Sequence, residues 1–288
     1  MTILDGKALS KTLKDQLKKR VATWIAQTSV VPGLAIVLVG EDPASQIYVR
    51  NKIKAASYCG ILAKRIDFPT TITEKELMDC IQQLNQDDAI HGIIVQLPLP
   101  SHINEQHIID TIAYTKDVDG FGIQNKGRLF SGLPAIESAT PRGIMRLLEA
   151  YDIDICGKNA CVVGRSNIVG KPMAMLLLNH HATVTICHSK TQNLKEITKN
   201  ADILVVAIGK PRFITADMVK EQAVVIDVGT NRVGEKLCGD VDFEQVKEKC
   251  AYITPVPGGV GPLTIASLLE NTVLAYQHIL KINSGENI

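Results

Sequence analysis

Tyr48 and Lys52 stand four residues apart in "IYVRNKIKAASYCGI" (47–61), a stretch entered through "EDPAS" and stopped by glycine. Residues at that spacing share one face of a helix, so a phenol and an amine can be aimed at one place. A lysine so placed can move protons. A free amine, however, has a pKa near ~10.4 and serves as a base only where burial or a nearby cation lowers that value. Y-x-x-x-K is the catalytic pair of short-chain dehydrogenases, but those chains carry a glycine-rich cofactor turn near the N-terminus, and here the comparable turn lies far downstream. The alternative is a surface lysine beside a half-buried tyrosine, and spacing alone leaves both open.

A second constellation lies in "ACVVGRSNIVGKPMAMLLLNHHATVTICHSKT" (160–191). It reads as strand, turn, helix, strand, at about the ~30 residues of a dinucleotide-binding βαβ unit. The turn runs from Gly164 to Gly170 and is not G-x-G-x-x-G, because Ser166 occupies the place of the second glycine. At the end of the next strand, where NAD enzymes offer an acid to the ribose hydroxyls, the sequence has Ser189 and Lys190, and Arg165 can reach the same place. Cations and a hydroxyl there suit a 2′-phosphate, which favours NADP over NAD. An ordinary βαβ unit with solvated Arg and Lys is the alternative.

The elements that must position these groups are legible as short apolar runs separated by helical patterns. The runs fall at 33–40, 63–68, 92–99, 160–164, 183–187, 202–209, 223–229 and 251–256. Each is of strand length, rich in Val and Ile, and too apolar for a sheet with one wet face. The alternation predicts an α/β protein with mostly parallel strands covered on both faces. The pattern breaks at 113–140, which is glycine-rich and without a clear period, and predicts a junction free of regular elements. After it, "TPRGIMRLLEAYDI" reads as a helix with Thr140 as N-cap and Pro141 at its first position. A final helix is expected over about 262–281, with Thr264 capping it. "DVGTNR", which includes Thr230, sits at the carboxyl end of a strand, where open α/β sheets bind ligands.

Composition narrows the class. The 288 residues carry 31 basic and 30 acidic side chains and are 45% hydrophobic, enough for two ordinary domains and no basic face for nucleic acid or membrane. Seven scattered cysteines without a C-x-x-C pair argue against a disulfide frame or a zinc site and fit a reducing cytoplasm. No apolar run approaches the ~20 residues of a membrane span, and no signal-like start is present. The histidines have no metal-ligand spacing; His180 and His181 read as a helix end, Met173 and Met175 as core, and no metal is expected.

Nine ordered motifs then carry a resemblance. "DPASQIYVRNKIKAASYCGI", "GIIVQLPLP", "KDVDGF", "TPRG", "VVGRSNIVGKPMAMLLL", "CHSKT", "VIDVGTNR", "GDVDF" and "TPVPGGVGPLTIASLLENT" together resemble the bifunctional methylenetetrahydrofolate dehydrogenase/cyclohydrolase (FolD) family over about 35–275. The resemblance implies a folate-binding catalytic domain of 1–139 plus a C-terminal helix segment of 272–288, a Rossmann-type NADP domain of 140–271, and an active-site cleft between them. It implies NADP-dependent oxidation of 5,10-methylenetetrahydrofolate, then hydrolysis of the methenyl product to 10-formyltetrahydrofolate. A cytoplasmic homodimer serving one-carbon metabolism and purine biosynthesis is implied too.

By the same resemblance Lys52 is the key catalytic residue, Tyr48 stacks on the folate, Gln96 contacts Lys52, and Asp119 grips the pterin. Gly259 and Pro262 line the substrate, and Gly164, Arg165, Ser166, Gly170, Ser189, Lys190 and Thr230 hold NADP. A two-domain dehydrogenase of the shikimate or malic type, and a non-catalytic folate or nucleotide binder, are the rival readings. Three positions depart from the family pattern. Ser138-Ala139 replaces Pro-Cys, Gly122-Ile123 replaces His-Pro and is expected to loosen the loop beside Asp119, and Leu263 replaces methionine in what is expected to be a harmless change.

Overall fold

The computed structural model describes residues 1–234 and 236–282. In chain order its elements are β1 (Thr2–Ile3), α1 (Gly6–Thr28), β2 (Gly33–Val39), α2 (Pro43–Cys59), β3 (Leu62–Phe68), α3 (Glu74–Gln86), β4 (Gly92–Val95), α4 (Glu105–Thr111), α5 (Ile123–Phe130) and α6 (Ala139–Ala150). There follow β5 (Asn159–Val163), α7 (Gly170–Asn179), β6 (Thr183–Cys187), α8 (Leu194–Thr198), β7 (Ile203–Val206), β8 (Val224–Asp227), β9 (Asn231–Val233), β10 (Lys236–Cys238), α9 (Phe243–Val246), β11 (Tyr252–Ile253) and α10 (Val260–Ile279). Every apolar run expected to be a strand contains one.

The chain divides into two compact units. One comprises Thr12–Ala139 and the chain from Ile265 onward; the other comprises Met1–Lys11 and Thr140–Thr264. The first is built on a three-stranded parallel sheet in the order β3-β2-β4. Its middle strand β2 is buried along its whole length. Alternation along β2 splits the core: Leu34, Ile36 and Leu38 face α1, α2 and α10, whereas Ala35, Val37 and Val39 face α3 and α4. The second unit holds a six-stranded parallel sheet, β1-β11-β8-β7-β5-β6, with a separate antiparallel hairpin of β9 and β10. Its strands bury Cys161, Val163, Leu204, Val206 and Val225 in one cluster.

Several expectations need correction. The first eleven residues belong with the six-stranded unit, because Thr2 N donates to Ala251 O at 2.7 Å and Leu4 N to Ile253 O at 2.9 Å, making β1 an edge strand beside β11. Two strand residues are too few to leave a periodic signal. The return to the other unit falls at Ile265, inside α10, and not at 272; residues 283–288 of the expected segment lie outside the described residues. The junction at 113–140 contains α5, whose buried pair is Asn125 and Leu129, so that a polar residue and Gly127 stand where an apolar period would have marked the helix. Helix α6 starts at Ala139, so Thr140 lies in its first turn instead of capping it. Its hydroxyl meets that of Thr264, itself inside α10, at 3.0 Å. Met173 is core while Met175 is half-buried, and no described helix is long and apolar enough to cross a membrane.

A buried histidine makes the three-stranded unit sensitive to acid. His91 Nδ1 accepts from Gly33 N at 3.0 Å, its ring packs edge-on against Tyr276, and its Nε2 has no partner among the described residues. Burial first, then the Lys116 charge, pushes its pKa down to about 4 from 6.5. The unfolded chain therefore binds the extra proton between these values. This contribution to stability is complete above pH 6.5 and falls away as the pH drops toward 4, by about 3 kcal/mol. Denaturant midpoints measured from pH 7 to 4 should fall less steeply for His91→Asn, which keeps an acceptor for Gly33; parallel slopes in the two proteins would refute the assignment.

Candidate active site

Helix α2 is fixed at both ends. Asp42 caps it by accepting from Ser45 N at 2.7 Å, Pro43 stands in its first turn, and Gly60 closes it in the left-handed conformation at φ 81°. Its inner stripe is Ser45, Val49, Lys52, Ala56 and Cys59, so Lys52 occupies a core position of the helix and is only 7% exposed. Tyr48, one turn earlier, is 45% exposed. A buried amine requires a partner. Lys52 Nζ donates to Gln96 Oε1 at 3.0 Å. Gln96 follows the last residue of β4 and keeps the sheet bond, its N donating to Val37 O at 2.9 Å. Its side-chain amide donates to Leu97 O at 2.8 Å, which turns the carbonyl oxygen toward the lysine.

Asp119 completes this group. Burial pushes its carboxyl up, and the Lys52 ammonium pulls it part of the way back. Its side chain has no hydrogen bond among the described residues, in contrast to Asp117 two residues earlier. Asp117 is fully buried and accepts from Phe121 N (3.2 Å), Gly122 N (2.8 Å) and Asn125 Nδ2 (3.0 Å). The turn-forming role that "DVDG" suggests thus belongs to Asp117, which leaves Asp119 available. Asn271 of α10 clamps the loop from behind, donating to Val118 O at 2.9 Å and Glu137 O at 2.8 Å, and Ser138 Oγ donates to Gly120 O at 3.1 Å. At Gly122-Ile123 the backbone is bonded on both sides: Gly122 N donates to Asp117 Oδ2 at 2.8 Å, and Ile123 N to Asp110 Oδ1 at 2.9 Å. Leu263 is buried.

The six-stranded unit holds the nucleotide-type turn after β5. Gly164 sits at φ 130°, where a Cβ would lie 2.2 Å from Ala207 O, so only glycine fits between the two strand ends. Gly164, Arg165 and Ser189 line a cavity of about 280 Å³, and Gly170 packs against the carbonyl of Gly164. Ser166 takes a local role, its Oγ accepting from Val169 N and Gly170 N at the start of α7. Lys190 and Thr230 are exposed and lie outside that lining. Gly259 and Pro262 lie at the start of α10 in this same unit, where Ser10 Oγ donates to Pro262 O at 2.8 Å. The cavity's basic, hydroxyl-bearing and carboxylate-free lining fits a phosphorylated nucleotide.

Two carboxylates behind the cavity were missed by the sequence reading, although "VIDVGTNR" and "GDVDF" carry them. Asp240, fully buried, accepts from Ile208 N (2.7 Å), Gly209 N (2.9 Å), Lys210 N (2.8 Å) and Asn231 Nδ2 (2.8 Å). Asp227 accepts in turn from Gly229 N, Asp240 N and Val241 N, each at 2.9 Å. Burial pushes the Asp227 carboxyl up to about 6, against the pull of those three donors.

A parallel Rossmann-type sheet with a tight glycine turn and a basic nucleotide cavity, joined to a unit that buries a lysine beside an amide, defines a two-unit dinucleotide-dependent dehydrogenase. Comparison with known proteins narrows the class. Residues 4–119 match the tetrahydrofolate dehydrogenase/cyclohydrolase catalytic domain, and residues 138–280 match the NAD(P)-binding domain of the same enzymes. The bifunctional protein FolD of Campylobacter hominis is 57% identical over 98% of this chain and 99% of its own. The crystal structure of the Campylobacter jejuni bifunctional enzyme FolD superposes with a TM-score of 0.95 at 50% identity, covering 96% of this chain and 99% of that one. The Trypanosoma brucei dehydrogenase-cyclohydrolase, complexed with NADP and an inhibitor, gives 0.93 at 38% identity, covering 98% and 99%. The chain belongs to the tetrahydrofolate dehydrogenase/cyclohydrolase family, which removes the shikimate- and malic-type alternatives.

Asp240→Asn keeps one acceptor oxygen and turns an NH2 toward backbone donors. It should lower stability by about 2 kcal/mol, the scale of a buried group left without its partner. Urea unfolding followed by circular dichroism measures this, and an unchanged midpoint would show that the four bonds hold nothing.

Proposed function

We propose that this chain oxidises 5,10-methylenetetrahydrofolate with NADP and hydrolyses the resulting 5,10-methenyltetrahydrofolate to 10-formyltetrahydrofolate, with Lys52 as the key catalytic residue. Membership of the bifunctional family supplies the two activities. The observation that carries the residue assignment is the buried Lys52–Gln96 hydrogen bond of 3.0 Å, on a helix whose preceding turn offers an exposed tyrosine.

Bound NADP supplies the hydride acceptor of the first reaction. That step needs flat rings held in register and no obligatory acid or base at the reacting carbon, so the protein's part is positional. Tyr48 offers its exposed ring to the aminobenzoate of the folate, and Asp119 its unpaired carboxyl to the amino edge of the pterin. Gly259 and Pro262 contribute backbone and a small apolar surface to the same substrate.

The hydrolytic step needs a proton carrier. Water adds to the methenyl carbon and loses a proton, leaving a hydroxyl; the bond from that carbon to N5 then breaks as N5 gains a proton and the hydroxyl gives up its own to become the formyl carbonyl, so one proton is released overall. Lys52 is suited to these transfers. The cationic methenyl substrate repels an ammonium, whereas the neutral Gln96 carbonyl orients the amine without fixing its charge as a carboxylate partner would. Exclusion of bulk water from the buried amine keeps the exchanged proton within the site.

Around this chemistry, residues 12–139 with the chain from Ile265 onward are the folate-binding domain, and residues 1–11 with 140–264 the cofactor domain. Arg165 and Ser189 hold the 2′-phosphate, Gly164 and Gly170 admit the pyrophosphate, and Ser166, Lys190 and Thr230 flank it. The exposed edge strand β6, with Ile186 at 37% exposure, supports a homodimer formed through the cofactor domain. A cytoplasmic location and a supply of formyl groups to purine biosynthesis complete the reading.

Spectroscopic assays that follow reduced nicotinamide and methenyl absorbance separately test it. Lys52→Met should lower hydrolysis of methenyltetrahydrofolate at least ~10²-fold, the lower range for general acid–base help. Folate binding, read by fluorescence titration, should persist. Full hydrolytic activity in that variant would overturn the assignment.

A further inference from the structure

Three cavities among the described residues differ in charge. The one of about 430 Å³ beside β8 and β10 is lined by Asp227, Asp242 and Glu244, and the one of about 380 Å³ beside α4 includes Asp110. Of these three, only the cavity of about 280 Å³ after β5 has no carboxylate in its lining, and there Arg165, His188, Ser189 and Lys210 come together. From this juxtaposition we infer that Lys210, on the loop after β7, is a second cationic contact for the 2′-phosphate of NADP. The inference rests on the NADP reading above.

The end of the nucleotide that meets Lys210 follows from the cavity's own residues. It is far smaller than a whole dinucleotide, and His188 and Ser189 at the carboxyl end of β6 mark it as the adenosine-ribose end. Ile208 and Phe213 add apolar surface suited to the base. The amine is not held elsewhere. Lys195, Lys220 and Lys247 of the same unit pair with Asp217, Asp202 and Glu244, whereas Lys210 Nζ lies 5.4 Å from the centre of the Phe213 ring and makes no ion pair among the described residues. A cation resting on an aromatic face keeps its remaining donors for an anion.

Placement comes from the backbone. The consecutive amides of Ile208, Gly209 and Lys210 all donate to the Asp240 carboxylate, so the start of the lysine side chain is fixed although its tip is exposed. Asp240 is thereby a positioning residue for Lys210. On the other side Gly164 packs on Ala207 O and fixes the same loop against the first turn. Arg165 reaches the phosphate from the turn after β5, Lys210 from the loop after β7, and the hydroxyl of Ser189 from the end of β6.

The test is binding, read without turnover. Titration calorimetry on the full-length protein at low ionic strength compares NADP with NAD, and adenosine 2′,5′-bisphosphate with ADP, for the wild type, Lys210→Ala and Lys210→Arg. Lys210→Ala should weaken the two 2′-phosphorylated ligands by about tenfold, the ratio that ~1.4 kcal/mol represents, and leave NAD and ADP unchanged. Lys210→Arg should retain most of the preference. Equal weakening of all four ligands would overturn the inference by placing the amine at the adenosine 5′-phosphate that they share. Full retention of the preference in Lys210→Ala would overturn it as well. A wild-type protein without preference between NADP and NAD would instead refute the NADP reading on which it rests.

Discussion

A buried amine must be given a hydrogen-bond acceptor, and the three-stranded unit is arranged so that one is always at hand. Lys52 sits in the core stripe of α2, at a position where the helical repeat would ordinarily put an aliphatic side chain. Leaving it unpaired there would cost several kcal/mol. The Gln96 carbonyl is kept facing it because the other end of that amide is held by the backbone of the next residue. Both partners are anchored to β2, the most buried strand: α2 packs on one of its faces, and Gln96 N bonds to its Val37 carbonyl. The distance between amine and amide is therefore set by the core and not by a surface loop.

The same rule, applied with opposite charge, builds the loops around the two sites. Asp117 and Asp227 are buried carboxyls whose environment raises their pKa, and each is surrounded by backbone N–H donors that favour the charged form. A carboxylate with two oxygens can gather three or four such donors from residues distant in sequence, which a main-chain carbonyl cannot do as readily. Asp117 closes the loop that presents Asp119; Asp240, gripped through Asp227, fixes the loop that borders the nucleotide cavity. Rigid presentation comes from the backbone bonds that these carboxyls gather.

Legibility in the sequence follows from which interactions are local. Strands β2, β4, β5, β7 and β8 were readable because continuous Val and Ile runs mark strands buried on both faces, whereas the edge strands β3 and β6 have the expected position but are largely exposed; α2 was readable from Asp42, Pro43 and Gly60. Lys52 and Gln96 were placed together by resemblance, since no local pattern links residues 44 apart. The strand β1 escaped notice because it has two residues, and α5 because Asn125 and Gly127 stand where an apolar period would have marked it. Asp117 was overlooked in favour of Asp119 because the two are alike in sequence; burial and donor count alone tell them apart. Asp227 and Asp240 lay inside motifs already singled out, but thirteen residues separate them and nothing local shows that one accepts from the backbone of the other.

The departures from the family pattern illustrate how such a network tolerates change. At positions 123 and 138 the pattern places proline, which has no N–H and stiffens the chain by fixing φ. This chain has Ile123 and Ser138, and each brings a donor that proline lacks. The Ile123 amide finds the Asp110 carboxylate, and the Ser138 hydroxyl finds the carbonyl of Gly120. The first bond ends on α4 and the second on the loop that carries Asp117 and Asp119, so the two donors cross-link the chain on either side of that loop. A substitution that removed proline without adding a satisfied donor would leave the loop freer and Asp119 less well aimed. Here the two changes act together, and the loop remains fastened at Asp110, Asp117, Ser138 and Asn271.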